Sequence, residues 1–201
     1  METSDAATAS RIILAPVFFF VFFLPRWFGV SPSVSTIVLW VLFVAIESSD
    51  LTALIRARRR HDQIDSSKLL APFADSLTRL TYFVCFTMAG FMPVWIFLIL
   101  LYRDLAVGFV RFMVLRRGAV LTERLSGNFK IAFYSIAGIV GMLELSRRAF
   151  FASWGGAELF STIMHITFYA TGVIAVWSLV DYLMVLFGRA HRDASEHDLD
   201  H

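Results

Sequence analysis

Apolar runs long enough to cross a lipid bilayer recur from one end of this chain to the other. The hydrocarbon core of a bilayer is about 30 Å thick and takes roughly 20 residues of α-helix to span. Runs near 11–29, 33–57, 69–89, 92–116, 129–150 and 157–188, separated by Pro, Gly or charge clusters, meet that length. Within 201 residues they leave no room for a separate soluble domain. Composition agrees, with 58% hydrophobic and 17% charged residues and a mean hydropathy of +0.69. A soluble domain of this size has nowhere to bury so much apolar surface. The expectation is an all-α polytopic membrane protein with about six transmembrane helices. One membrane domain would cover 1–188, and a polar, mobile cytoplasmic tail would follow over 189–201.

The apolar run from Ile12 to Leu24 follows Arg11 and has the length of a signal-peptide core. The acidic stretch before it and the lack of a small-x-small cleavage site ahead of Pro25, Arg26 and Trp27 argue for a retained first helix instead. Lys and Arg set the orientation. With the N-terminus inside, the cytoplasmic side collects Arg11, the arginines of 56–60, Lys68, Arg111, Arg116, Arg117, Arg124, Lys130, Arg189 and Arg192. The opposite side has Arg26, Arg147 and Arg148, while Arg79 and Arg103 lie within helices. Both termini are therefore expected in the cytoplasm, with the chain integral to the membrane. A formal charge of +2 is too small to suggest a nucleic-acid partner. The single Cys85 excludes an intramolecular disulfide and a cysteine metal cluster.

A charged side chain at the centre of a bilayer costs at least about 2.5–3.5 kcal/mol, so each one needs a partner, a wet cavity or an interface. Here they cluster: Glu47, Asp50, Arg56 and Arg58 at the end of the second helix, Asp75 and Arg79 in the third, and Arg103 and Asp104 in the fourth. Asp50, Leu54, Ala57 and Arg58 share one helical face, as do Ala71 and Asp75. Carboxylates on adjoining helices, joined by a basic loop, suit a divalent cation and an anionic headgroup. The competing reading pairs Asp50 with Arg58 and Asp75 with Arg79 as simple interfacial ion pairs. Spacing alone leaves both open.

The stretch from Asp50 through Ala53, Leu54, Ala57 and Arg58, then Ser67, Ala71 and Asp75, resembles the CDP-alcohol phosphatidyltransferase signature D-x-x-D-G-x-x-A-R-x8-G-x3-D-x3-D. Asp50, Ala57, Arg58 and Asp75 match it. Ala53 and Ala71 stand where the second and third aspartates belong, and Leu54 and Ser67 replace the two glycines. The flanks resemble the phosphatidylglycerophosphate synthases within that family. Thr8, Arg11, Ile12 and Pro16 follow T-x-x-R-I-x-x-x-P, although Asp5 stands where an asparagine is usual. Pro93 and Trp95 with Arg103, Asp104 and Arg111 follow P-x-W and R-E-I-x-x-x-x-x-R. Gly127 and Lys130 follow G-K-x-K-T with one lysine lost, and Trp177, Ser178, Asp181 and Tyr182 follow W-S-x-x-D-Y.

The resemblance implies a homodimeric six-helix protein that moves a phosphatidyl group from CDP-diacylglycerol to glycerol 3-phosphate in phospholipid biosynthesis, with loss of CMP. It also implies membrane lipids as partners and Mg²⁺ or Mn²⁺ as cofactor. Asp50 would be a metal ligand, and Asp75 a ligand and the base. Thr8, Arg11, Ala57 and Arg58 would face the nucleotide, and Arg103, Arg111 and Lys130 the acceptor phosphate, where an anion demands cations in a dry setting. Alanine at 53 and 71 supplies no oxygen ligand, so a two-metal site is not expected, leaving one ion or none. Leu54 crowds a position where glycine admits a close ligand. Glu47, Asp62 and Asp65 are the acids that would serve a rewired site. The alternative role is a catalytically inactive relative that binds lipid or a membrane partner.

Other polar residues have plainer readings. His165, amid apolar neighbours, suits a hydrogen-bonded packing role. Glu144, Arg147 and Arg148 stand at i, i+3 and i+4 near a helix end, an interfacial ion pair. The phenylalanines of 18–23 read as lipid-facing bulk, and the histidines and acids of the tail as a solvated segment rather than a metal trap.

Overall fold

The computed structural model describes the backbone of residues 3–59, 67–116, 125–151 and 156–197, and the side chains of 11–48, 73–113, 129–151 and 156–184. Six helices account for the described residues: α1 Thr3–Phe28, α2 Pro32–Arg59, α3 Ser67–Met88, α4 Val94–Arg116, α5 Leu125–Phe150 and α6 Ala157–His197. No strand occurs among them. Three are long and apolar enough to cross a membrane, over Arg11–Phe28, Phe129–Phe150 and Ala157–Met184, and α2 carries a shorter apolar stretch, Pro32–Ser48. In α3 and α4 the apolar run is interrupted by Asp75 and Arg79 and by Arg103, Asp104 and Arg111. Those charges form the site described below.

Two helix ends depart from the sequence expectation. α1 begins at Thr3, ahead of the apolar run, and α6 continues to His197 through residues expected to leave the helix. After Gly188 the sequence holds no helix breaker, and Ala190, Ala194 and Glu196 are good helix formers, so the backbone bonds continue where the apolar surface stops.

α3 is the hub, packing against α1, α4 and α5, while α6 lies on α4 and α5 and α2 bridges α1 and α5. Its residues Tyr82, Phe83 and Phe86 meet Phe18 of α1, Phe43 of α2, Tyr134 of α5 and Phe168 of α6 in edge-to-face and tilted ring contacts. Phe18 and Phe23 are buried in this core, so the phenylalanine run of α1 is only partly lipid-facing. Its period-3.6 geometry turns some rings inward and leaves Phe20 outside. Gly141 allows α5 to approach α3, since a methyl group there would overlap the Phe86 ring. Outward rows such as Val34, Ile37, Val41 and Val44 on α2 are exposed and apolar, as a lipid-facing surface requires.

The α3–α4 connection ends α3 sharply. Gly90 takes φ +76°, its N–H donates to the Thr87 carbonyl at 3.0 Å, and the Phe91 N–H donates to the Phe86 carbonyl at 2.9 Å. This is a Schellman cap, with Phe91 stacked on Phe86 as its apolar closure. Because the helices alternate in direction, the start of α1, α3 and α5 and the end of α2, α4 and α6 share one end of the bundle. The polar residues gather there.

Candidate active site

A serine, two carboxylates and an arginine from three helices meet at the middle of that polar end. Asp75 and Arg79, one turn apart on α3, pair through Nε and Oδ1 at 3.1 Å. Arg79 is 1% exposed. Its Nη1 donates to the Ile131 carbonyl at 3.3 Å and to Ser135 Oγ at 3.4 Å, both on α5, and its Nη2 lies 4.0 Å from Glu47 Oε2 on α2. Ser135 Oγ donates to Glu47 Oε2 at 2.6 Å, and the Tyr82 hydroxyl reaches Glu47 Oε1 at 3.5 Å. Of the two readings left open by spacing, the ion pair is the one formed by Asp75 and Arg79. A guanidinium with a fixed fork of donors is suited to this, because it answers acceptors from several helices at once.

The second part is built on α4. Asp104 Oδ1 accepts Lys130 Nζ of α5 at 2.8 Å and Arg103 Nη1 at 3.0 Å. Arg103 Nη2 donates to Ser178 Oγ of α6 at 2.7 Å. Three polar atoms in this buried group have no hydrogen-bond partner among the described residues: Asp104 Oδ2, Arg103 Nε and the Tyr134 hydroxyl. Unpaired polar atoms in a dry interior are costly and call for an explanation. Lys130 Nζ also sits 4.5 Å from the centre of the Tyr134 ring. Toward the bundle end, Arg111 Nη2 donates to the Tyr182 hydroxyl at 3.0 Å, and the guanidinium groups of Arg103 and Arg111 lie 5.7 and 5.9 Å from the Tyr182 ring centre. The two parts adjoin through about one and a half turns of α5, which supply Lys130, the Ile131 carbonyl, Tyr134 and Ser135.

The expected acceptor-side residues Arg103, Arg111 and Lys130 are thus brought together. Arg11 is buried on α1, with its carbonyl 3.5 Å from the Thr78 hydroxyl. Asp50, Ala53, Leu54, Ala57 and Arg58 belong to the last turns of α2, Ser67 and Ala71 to the first turns of α3, and Thr8 to α1, but their side chains lie outside the described residues. Sequence reasoning gave no role to Ser135, Tyr134 and Tyr182. Tyr182 stood within a matched motif, whereas Ser135 carried no signal beyond being a hydroxyl in an apolar helix. The plainer readings hold: His165 Nδ1 bonds its own helix at the Ser161 carbonyl, 2.7 Å away, Cys85 is buried, and Glu144 pairs with Arg147 and Arg148 at 2.7 Å each.

The pattern of the CDP-alcohol phosphatidyltransferases matches residues 1–177. The chain belongs to the CDP-alcohol phosphatidyltransferase family. Among its relatives, the Treponema pallidum CDP-diacylglycerol–glycerol-3-phosphate 3-phosphatidyltransferase is 29% identical over 197 residues, covering 93% of this chain and 90% of that protein. A Mycobacterium tuberculosis protein named a probable phosphatidylglycerophosphate synthase is 27% identical over 143 residues, covering 71% of this chain and 66% of that one.

For a member of this family, the donor set among the described residues does not fit a pair of divalent cations. Alanines at 53 and 71 bring no oxygen, Asp75 Oδ1 already accepts from Arg79, and no group of three or more His, Cys, Asp or Glu side chains able to hold a metal occurs among the described residues.

Proposed function

We propose that the protein transfers a phosphatidyl group from CDP-diacylglycerol to glycerol 3-phosphate in an integral membrane setting, with six crossings, both termini cytoplasmic and two copies forming the working unit. The observation that carries the reading is the Arg103, Asp104 and Lys130 group, with buried polar atoms left unpaired beside an additional cation, Arg111. One carboxylate shared by two cations leaves positive charge to spare, and a phosphate brings the acceptor oxygens that Arg103 Nε and the Tyr134 hydroxyl lack. Asp104 keeps the two cations aimed before the ligand arrives, which lowers the cost of ordering them on binding.

In the transfer, the acceptor hydroxyl oxygen attacks the phosphorus that carries the diacylglycerol. A new O–P bond forms, the P–O bond to the cytidylyl phosphate breaks, and CMP leaves with the electron pair. The hydroxyl proton passes to Asp75, the remaining signature acid of α3. Arg103, Arg111 and Lys130 fix the acceptor by its phosphate, so that the attack takes place between bound partners.

The test is CMP release by purified protein in detergent or lipid, with CDP-diacylglycerol, glycerol 3-phosphate and Mg²⁺, beside Asp75→Asn. Release that depends on glycerol 3-phosphate, and falls at least about 100-fold in Asp75→Asn, is the expected result. Folded protein that releases no CMP overturns the proposal in favour of the non-catalytic lipid-binding or partner-binding relative that the lost signature residues allow.

A further inference from the structure

The misfit between the signature and a metal pair has a positive counterpart in Arg79. Acids from α2 and α3, the two helices that carry the signature, already have a cation between them: Arg79 Nε reaches Asp75 Oδ1 at 3.1 Å and Nη2 faces Glu47 Oε2 at 4.0 Å. The remaining nitrogen, Nη1, is held by the Ile131 carbonyl and Ser135 Oγ on α5. All three guanidinium nitrogens therefore have oxygen neighbours, from three helices, and the side chain is almost fully buried. A cation fixed in this way is part of the fold, not a mobile counter-charge.

Charge counting across the network points the same way. Glu47, Asp75 and Asp104 face Arg79, Arg103 and Lys130, three acids against three bases, and Asp75 is close enough to act electrostatically on Lys130. These six described side chains sum to zero charge, and Arg111, also among the described residues, adds one positive charge for an incoming anion. A buried carboxylate attracts a metal when its own charge is uncompensated. Neither Glu47 nor Asp75 is in that condition. A divalent ion arriving here would have to displace a buried guanidinium together with four of its oxygen contacts.

We infer that Arg79 is a built-in cation of the site, standing between the acids of α2 and α3 in the place of a divalent ion, so that the cytidine-diphosphate lipid binds without divalent metal. The inference rests on the proposed function, and the experiment separates the two. Binding of CDP-diacylglycerol to the full-length protein in detergent is measured in EDTA and in Mg²⁺, for the wild type and for Glu47→Gln/Arg79→Met. The double change removes one acid and one base together, which avoids leaving Glu47 as a buried unpaired carboxylate and keeps a hydrogen-bond acceptor for Ser135. The expected result is wild-type affinity that differs by less than about threefold between EDTA and Mg²⁺, and a double variant weakened at least about tenfold in EDTA. Arg79→Lys, which keeps the charge without the fork, should fall between them.

Wild-type binding that disappears in EDTA and returns with Mg²⁺ overturns the inference and leaves the proposed function standing. A folded double variant that binds in EDTA as the wild type does also overturns it, since Arg79 would then not be the cation concerned. Folded wild type that binds CDP-diacylglycerol in neither condition overturns the proposed function itself, and this inference with it.

Discussion

Two places among the described residues set one carboxylate between two cations, and they are built in opposite ways. At the polar end, Asp104 of α4 holds Arg103 and Lys130 through a single oxygen, and the group draws on α4, α5 and α6. Asp104 Oδ2 and Arg103 Nε are left unpaired among the described residues, and the Asp104 side chain is 1% exposed. At the opposite end, Glu144, Arg147 and Arg148 all belong to α5. Both Glu144 oxygens are used, by Arg147 Nε and Nη2 at 2.7 and 2.9 Å and by Arg148 Nε at 2.7 Å. Arg148, with 49% of its side chain exposed, also lies 4.3 Å from the Phe91 ring centre and donates to the Ala89 carbonyl at 3.4 Å. There it places a cation at the C-terminus of α3, where the helix dipole favours one. The second group is saturated and caps a helix. The first has unused hydrogen-bonding capacity in a dry setting, as a ligand site does and a structural ion pair need not.

The largest effect that should separate them is in stability. Asp104→Ala leaves Arg103 and Lys130 facing each other, buried, with no carboxylate between them, and removing one partner of a buried group typically costs about 3–5 kcal/mol. Unfolding of the purified variant in detergent, followed by heat or denaturant, should show a loss of that order. A loss below about 1 kcal/mol would mean that water already reaches the group. The unpaired atoms would then need no ligand to account for them.

Next in size is a functional effect confined to one end. Lys130→Met keeps the length of the side chain and its packing over Tyr134 while deleting the charge. If the Arg103, Asp104 and Lys130 group binds the acceptor phosphate, KM for glycerol 3-phosphate should rise at least about tenfold, with a smaller change in kcat and little change in the dependence on CDP-diacylglycerol. An unchanged KM for glycerol 3-phosphate removes Lys130 from the acceptor pocket. A matched fall in kcat with KM constant would instead place it at the reacting atoms.

The sequence was most informative where the bilayer imposes a rule and least informative where three helices meet. Apolar length alone located every helix to within a few residues, apart from the start of α1 and the end of α6, where polar sequence continues a helix that hydropathy cannot follow. It also marked Arg79, Arg103 and Asp104 as anomalies, because charge inside an apolar run is rare enough to need a cause. What it did not contain was partnership. Lys130 to Asp104, Arg103 to Ser178 and Ser135 to Glu47 join residues far apart in the chain, and no periodicity reports such a pair. By contrast, Glu144 with Arg147 and Arg148 was legible in full, because its partners lie one helical turn apart. The same locality made the phenylalanine run of α1 misleading. Composition shows that it is apolar, but which rings turn toward Tyr82 depends on where α3 lies.

The smallest effect is expected at the saturated group. Glu144→Gln keeps the side-chain shape and one acceptor oxygen, removes the charge, and leaves Arg147 and Arg148 on a helix end where water and lipid phosphates are within reach. The Glu144 side chain is itself buried, 2% exposed, but Arg148 is half-exposed and the glutamine still fills the site and accepts a hydrogen bond, so the loss of stability should be about 1–2 kcal/mol, below that of Asp104→Ala. Arg148 should contribute little to that loss, because its contacts with Phe91 and the Ala89 carbonyl do not depend on Glu144 and should survive the change. KM for glycerol 3-phosphate should be unaltered, because the group lies at the end of α5 opposite Lys130. If Glu144→Gln destabilises the protein as much as Asp104→Ala, saturation of the carboxylate is not what distinguishes the two ends. If it shifts KM, the opposite end of the bundle is coupled to the site through α5, and the helix would have to be treated as one element that both groups hold in place.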